Sequence, residues 1–190
     1  KDAQDFGTAM QLIANKELFP KSSIQVLATG TDNLPTKENI QTAFDSLKET
    51  KPNDVVIVFL AGHGVKGTSE EEGYLYVTMH ANSMAQIQDK DNQQTVAVSS
   101  KELNDWMRNI PANKQVMILD TCSAGAVAEE LVSKRDLTAD QIRAIDKLQR
   151  SSGLHILMGS AADSVSYEAS QYGQGLLTYS LLEGMKLGSG

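Results

Sequence analysis

The sequence predicts an α/β protein with a mostly parallel sheet, helices on both faces and a reactive edge. Four runs rich in apolar residues, at Ile24, Val55, Val116 and Leu154, read as strands covered on both sides, and those at Val55 and Val116 have no polar interruption. Between them lie segments whose apolar residues recur at three- and four-residue spacing, the pattern of helices packed by one side. Two of the runs, FLAGHG and ILDTCSAG, end alike, in small residues around one reactive side chain. In open α/β sheets the carboxyl ends of the strands are where ligands bind.

Each element follows in order. Ala3, Phe6, Met10 and Ile13 predict a helix from residue 2 to about 15. Ser22 to Thr29 reads as a short strand ended by Gly30. A second helix is expected near Pro35, with Thr36 as its N-cap and Ile40, Ala43, Phe44 and Leu47 as its buried stripe. Residues 55–64, VVIVFLAGHG, give the strongest strand signal: β-branched and apolar residues, then small ones around His63. Val65 to Gly73 is polar and reads as a loop; YLYVTM reads as a hairpin arm outside the main sheet. Residues 82–95 read as a second excursion. Ser99 to Glu102 fits a capping box, and Leu103, Trp106, Met107 and Ile110 give the helix after it one apolar side before Pro111. The strand at Val116 to Leu119 follows, with Cys122 expected just beyond its end. Residues 123–137 hold no clear element, and Thr138 to Gln141 caps a helix carrying Ile142, Ile145 and Leu148. Residues 154–160 make another buried strand, and Leu177, Leu181 and Met185 a closing helix.

Composition narrows the function. The 190 residues are read as one domain, 1–190, a fragment or processed part of a longer protein. No apolar window is long enough for a membrane span. A single cysteine makes no internal disulfide, so the expected location is cytoplasmic. The net charge of −7, with no long basic run, disfavours nucleic acid as a partner.

Cys122 is the candidate nucleophile and His63 its candidate base. His63 precedes Cys122 by 122 − 63 = 59 residues, and in a parallel sheet both surface at the same edge. A thiol needs a group to take its proton and to carry protons to a leaving group, and imidazole does this near neutral pH. The glycines at 62 and 64 let a substrate backbone come close, and the amides of Gly64 and Cys122 are candidate donors to the oxyanion of a tetrahedral intermediate. The bland alternatives are a cysteine that is a small buried hydrophobe and a purely structural Gly-His-Gly. His155 lies inside an apolar strand and His80 in an excursion from the main sheet, so neither competes well with His63.

FLAGHG followed by ILDTCSAG resembles the caspase-like cysteine peptidases of clan CD, family C14, and within them the bacterial caspase-like and metacaspase branch. The caspase form of the cysteine motif has its His about 50 residues upstream, close to the spacing here. KDA at residues 1–3 is similar to the motif that follows the first strand in this branch. SGLHILMGSAADSVSYE and GQGLLTYSLLEGM are similar to the family's last strand and final helix. The resemblance implies a three-layer α/β/α sandwich and a peptidase with His63 as general base and acid and Cys122 as nucleophile. Caspases that cut after Asp carry a neutral Gln two residues before the cysteine; this chain has Asp120 there, as metacaspases do. A carboxylate repels an acidic P1 side chain and pairs with Arg or Lys, so basic P1 residues are expected. The resemblance adds Asp2 to that pocket. Ser160, at the end of the last strand, is a further candidate for the substrate cleft. For Asp120 the alternative is a carboxylate that caps neighbouring amides, and for Asp2 a first-turn acid favoured by the helix dipole.

Caspase-like enzymes are often cut between the cysteine motif and the last strand. Lys134 and Arg135 lie in that interval and are candidate self-cleavage sites. No cofactor is required by the sequence. Glu70 to Glu72, Asp89 and Asp91 raise calcium, which some metacaspases require, but they lack EF-hand spacing and read better as solvated loop charge. One departure stands out: the family's first strand, which precedes the KDA motif, is absent from this chain. The sheet then has a gap between the strands at Ile24 and Val55, and a separate N-terminal segment or chain is a candidate to complete it. A cysteine phosphatase is disfavoured because Ala128 stands where its Arg belongs, and a serine hydrolase because GxSxG is missing. The remaining alternative is a catalytically inactive interaction module of the same fold.

Overall fold

A ladder forms only where two strands offer each other complete rows of amide and carbonyl groups, and the two longest apolar runs do so. In the computed structural model, which describes residues 1–14, 19, 21–66, 74–123, 154–158 and 174–187, β1 (Val55–Lys66) and β4 (Lys114–Ser123) pair in parallel. Their register runs from Val55 opposite Lys114 to Gly64 opposite Ser123. β5 (Leu154–Met158) extends the sheet in parallel beyond β4. On the other side of β1, at its carboxyl end only, β2 (Tyr74–Val77) pairs antiparallel from Gly64 to Lys66, and β3 (Ala97–Ser99) pairs antiparallel with β2. The strand order among the described residues is β3-β2-β1-β4-β5. The fold is an α/β sheet, mostly parallel and flanked by helices, as the sequence predicts.

Three expectations change. Ser22 to Ala28 has no regular secondary structure and Thr29 begins a turn, so the segment forms no strand. Its β-rich composition is not enough, because no described strand lies beside it to accept and donate ladder bonds. The hairpin arm at Tyr74 belongs to the main sheet rather than outside it, because β1 runs on past His63 to Lys66 and offers it an edge. Residues 82–95 hold two short helices, α3 (Met84–Gln88) and α4 (Lys90–Val96), capped by Ser83 and Asp89. The expected helix after Thr138 lies outside the described residues.

Side chains alternate across a strand, so the sheet has two distinct faces. On one, Val56 and Leu60 of β1 and Met117 and Leu119 of β4 meet Ile40 and Phe44 of α2 (Lys37–Ser46) and Leu103 and Met107 of α5 (Ser100–Arg108) in one core. Phe44 and Trp106 lie tilted against each other with centroids 5.1 Å apart. Each large side chain buried here contributes about 1.5–3 kcal/mol.

Local chemistry sets where these helices begin. Thr36 accepts the Asn39 amide at 3.1 Å, closing the start of α2. Ser99 accepts the Glu102 amide at 3.2 Å while the Glu102 carboxylate accepts the Ser99 amide at 2.9 Å, completing the capping box of α5. Lys37 Nζ reaches the same carboxylate at 2.7 Å and ties α2 to α5. Burial opposes ionisation of Glu102, but the hydrogen bonds from Lys37 and Ser99 outweigh it and leave its carboxyl below the usual range.

The opposite face is covered differently. Phe6 of α1 (Asp2–Ile13) stacks on Phe59 of β1 with centroids 4.4 Å apart and planes 11° from parallel. α1 in turn packs against the segment from Ser22 to Thr29: a Cβ on Gly7 would lie 2.6 Å from Val26 Cγ2, so glycine lets the Val26 side chain sit against the helix backbone. The last helix, α6 (Leu176–Leu187), closes this face beside α1 and β4. No helix among the described residues is long and apolar enough to cross a membrane.

Candidate functional site

The β1–β4 register carries the site. His63 is the register partner of Cys122, one rung before the ladder ends at Gly64 and Ser123. Paired residues of neighbouring strands share a face and have backbones about 4.8 Å apart. His63 is exposed, so its imidazole is open to solvent and to a substrate. Cys122 lies within β4 rather than beyond its end, because β1 continues to Lys66 and supplies rungs through Ser123. The sequence therefore places the pair at the correct edge and misses that both residues are inside the ladder.

The strand before His63 is fixed by Tyr76. Its hydroxyl donates to the Ala61 carbonyl at 3.0 Å. Burial pushes the Tyr76 hydroxyl's pKa up, so it remains a neutral donor. Gly62, between Ala61 and His63, has φ +150°, and a Cβ there would stand 3.3 Å from the Tyr76 hydroxyl. Glycine thus satisfies both the backbone conformation and the space beside the phenol. Gly64, a candidate oxyanion donor, is buried at the last rung, between β2 and β4.

Asp120 stands two residues before Cys122, on the same face of β4, and is 5% exposed. Its Oδ2 accepts the Thr178 amide at 2.8 Å and also the Thr178 hydroxyl. Asp2 Oδ2 accepts the Gly175 amide at 3.1 Å, and Asp5 Oδ2 accepts Gln174 Nε2 at 2.5 Å. Asp120 and Asp2, the second of which the resemblance adds to the pocket, both bind the start of α6. The reason is the residue at its N-cap. Gly175 has no side chain with which to accept the amide three residues on, so β4 supplies Asp120 in that role and α1 supplies Asp2 for the amide of Gly175 itself. Asp120 thus caps a helix through an amide distant in sequence, not through neighbouring amides.

Thr178, Gly175, Tyr76 and Asp5 are absent from the sequence-derived site. One signal was available: a closing helix preceded by glycine, with no Ser, Thr, Asp or Asn at its cap, needs an acceptor from elsewhere. The other assignments separate. His155 is the register partner of Val116, six residues back from Cys122 along β4, or about 20 Å at strand rise. His80 is exposed in the turn after β2. Asp89 is occupied by the amides of Asp91 and Asn92, at 3.0 and 3.1 Å. Among the described residues no group of three or more His, Cys, Asp or Glu could hold a metal ion. Ser160, Lys134, Arg135 and Glu70 to Glu72 lie outside the described residues.

An α/β sheet with a histidine and a cysteine paired across adjacent parallel strands, near their carboxyl ends, defines a protein with a candidate nucleophilic dyad. The family model described as the caspase domain, peptidase C14, matches residues 10–189, and the chain belongs to that family. Its general function is accordingly of the cysteine peptidase type. Neither the curated proteins nor the solved structures contain a match to the chain.

Proposed function

We propose that the protein is a cysteine endopeptidase that cleaves after Arg or Lys, with Cys122 as nucleophile and His63 as general base and acid. The observation that carries this reading is the shared rung of His63 and Cys122. His63 takes the thiol proton, and the sulfur attacks the carbonyl carbon of the P1 residue. The resulting oxyanion is held by the amides of Gly64 and Cys122. His63 then returns the proton to the leaving nitrogen as the C–N bond breaks, leaving a thioester. Water, giving a proton to His63, attacks the thioester; the acid product leaves and the proton returns to sulfur.

Selectivity rests on Asp120, with Asp2 beside it. Support comes from their convergence on one helix start, which draws two negative charges to the face that carries His63. Ser160 extends the cleft in this reading. Matched peptides with Arg, Lys and Asp at P1 test it: hydrolysis is expected for the first two, and preferred cleavage after Asp would refute the assignment.

The interval of Lys134 and Arg135 is a substrate of the enzyme itself; an intact chain after long incubation of active enzyme counts against this. A separate segment completes the sheet along β1, whose edge opposite β4 has no described strand partner from Val55 to His63. The setting is the reducing cytoplasm, and the chemistry needs no metal.

A further inference from the structure

The start of α6 does more than end a loop, because its donors are spent on the carboxylate assigned to the substrate's charge. Both Thr178 donors, the amide and the hydroxyl, fall on Oδ2 of Asp120. Two donors from one residue hold Oδ2 in position. A carboxylate has acceptor capacity on both oxygens, so a bond of this kind on Oδ2 is compatible with an incoming cation on Oδ1. Thr178 is completely buried, so its hydroxyl has no water to turn to and is held on this one acceptor. Gly175 also lies against this carboxylate: a Cβ there would come closest to Oδ2 and would stand 2.7 Å from Cγ and 2.8 Å from Oδ1. The carboxylate is therefore gripped by Thr178 and confined by Gly175.

We propose that Thr178 is a positioning residue for substrate selection: its hydroxyl, with Gly175 behind, holds the Asp120 carboxylate in the orientation that receives a basic P1 side chain. This rests on the reading of Asp120 as the P1 partner. A guanidinium or ammonium gains from a charged hydrogen bond only if the acceptor is already oriented, and a carboxylate free to rotate gives up part of that gain to ordering. The cleavage chemistry at Cys122 does not use Thr178, so its loss acts on binding.

The test compares the full-length chain with Thr178→Val, which removes the hydroxyl at constant shape, and with Thr178→Ser, which restores it. KM and kcat are measured on matched Arg-P1 and citrulline-P1 peptides, the second being uncharged. Thr178→Val is expected to raise KM for the Arg peptide about tenfold, with a smaller change in kcat and little change for citrulline; Thr178→Ser stays within about twofold of wild type. KM does not depend on the fraction of folded enzyme, so partial unfolding does not produce this pattern. Gly175→Ala, which pushes a methyl group at the carboxylate, serves as an independent second variant and is expected to raise the same KM. If Asp120→Asn raises the Arg KM while Thr178→Val and Gly175→Ala leave it unchanged, the positioning role is wrong and Asp120 stands alone. If Asp120→Asn itself leaves the Arg KM unchanged, the assignment of Asp120 fails and the positioning role with it.

Discussion

The two faces of the sheet are built from the same strands to different ends. The face under α2 and α5 is mostly apolar: Val56, Leu60, Met117 and Leu119 meet Ile40, Phe44, Leu103 and Met107, with the buried Gln115 at its start donating to the Ile110 and Ala112 carbonyls. The face under α1 and α6 has one stacked ring pair, Phe6 on Phe59, and then turns polar toward the carboxyl end of the strands. There Asp120 is bound to Thr178, Asp2 to Gly175, and His63 is open to solvent. Strand alternation makes this division possible, since neighbouring residues of β4 report to opposite faces. Leu119 packs the core while Asp120 anchors a helix. The main apolar core lies on one face and the candidate site on the other.

Variants on each face should therefore separate activity from stability. The largest effect is expected for Cys122→Ala and His63→Ala, each lowering kcat/KM for an Arg-P1 peptide by roughly 10³–10⁴-fold. His63 is exposed, so thermal melting of His63→Ala should match the wild type. A melting point lowered as far as by a core truncation would break the division. Next is Met107→Ala on the apolar face, which is 1% exposed. It is expected to cost about 2–5 kcal/mol in urea unfolding, with KM of the folded enzyme unchanged. Ser99→Ala follows, losing the capping box of α5 and about 1 kcal/mol.

The smallest effect is one of pH. Glu102 has its carboxyl held below the ordinary value of 4.5 by Lys37 and Ser99, against burial. Its stabilisation is fully present above that ordinary value and is lost as pH falls through the depressed folded value. The difference in unfolding midpoint between wild type and Glu102→Gln should shrink over that acidic window and remain flat near neutrality. Treatment with EDTA is expected to leave the hydrolysis rate unchanged.

Features set by local chemistry were legible in the sequence. Thr36 as an N-cap and the Ser99–Glu102 box follow from spacing alone, and both are present. The edge shared by His63 and Cys122 was legible because two apolar runs of similar length end in small residues around them. What depends on a distant partner was not. Ser22 to Thr29 has strand composition, yet a strand exists only beside another. Asp120 was read through the cysteine two residues after it, while its hydrogen bonds come from Thr178, 178 − 120 = 58 residues away. The need was written at Gly175, a helix cap without an acceptor, but the identity of the acceptor was not.

The central claim is that Cys122 reacts with substrates bearing a basic P1 residue. Its most direct test is intact-mass measurement after incubation with a thiol-reactive peptide carrying Arg at P1, beside the same reagent carrying Asp. One adduct per chain is expected with the Arg reagent, absent in Cys122→Ala and much slower with Asp. Faster labelling by the Asp reagent, or an adduct that persists in Cys122→Ala, would contradict the account.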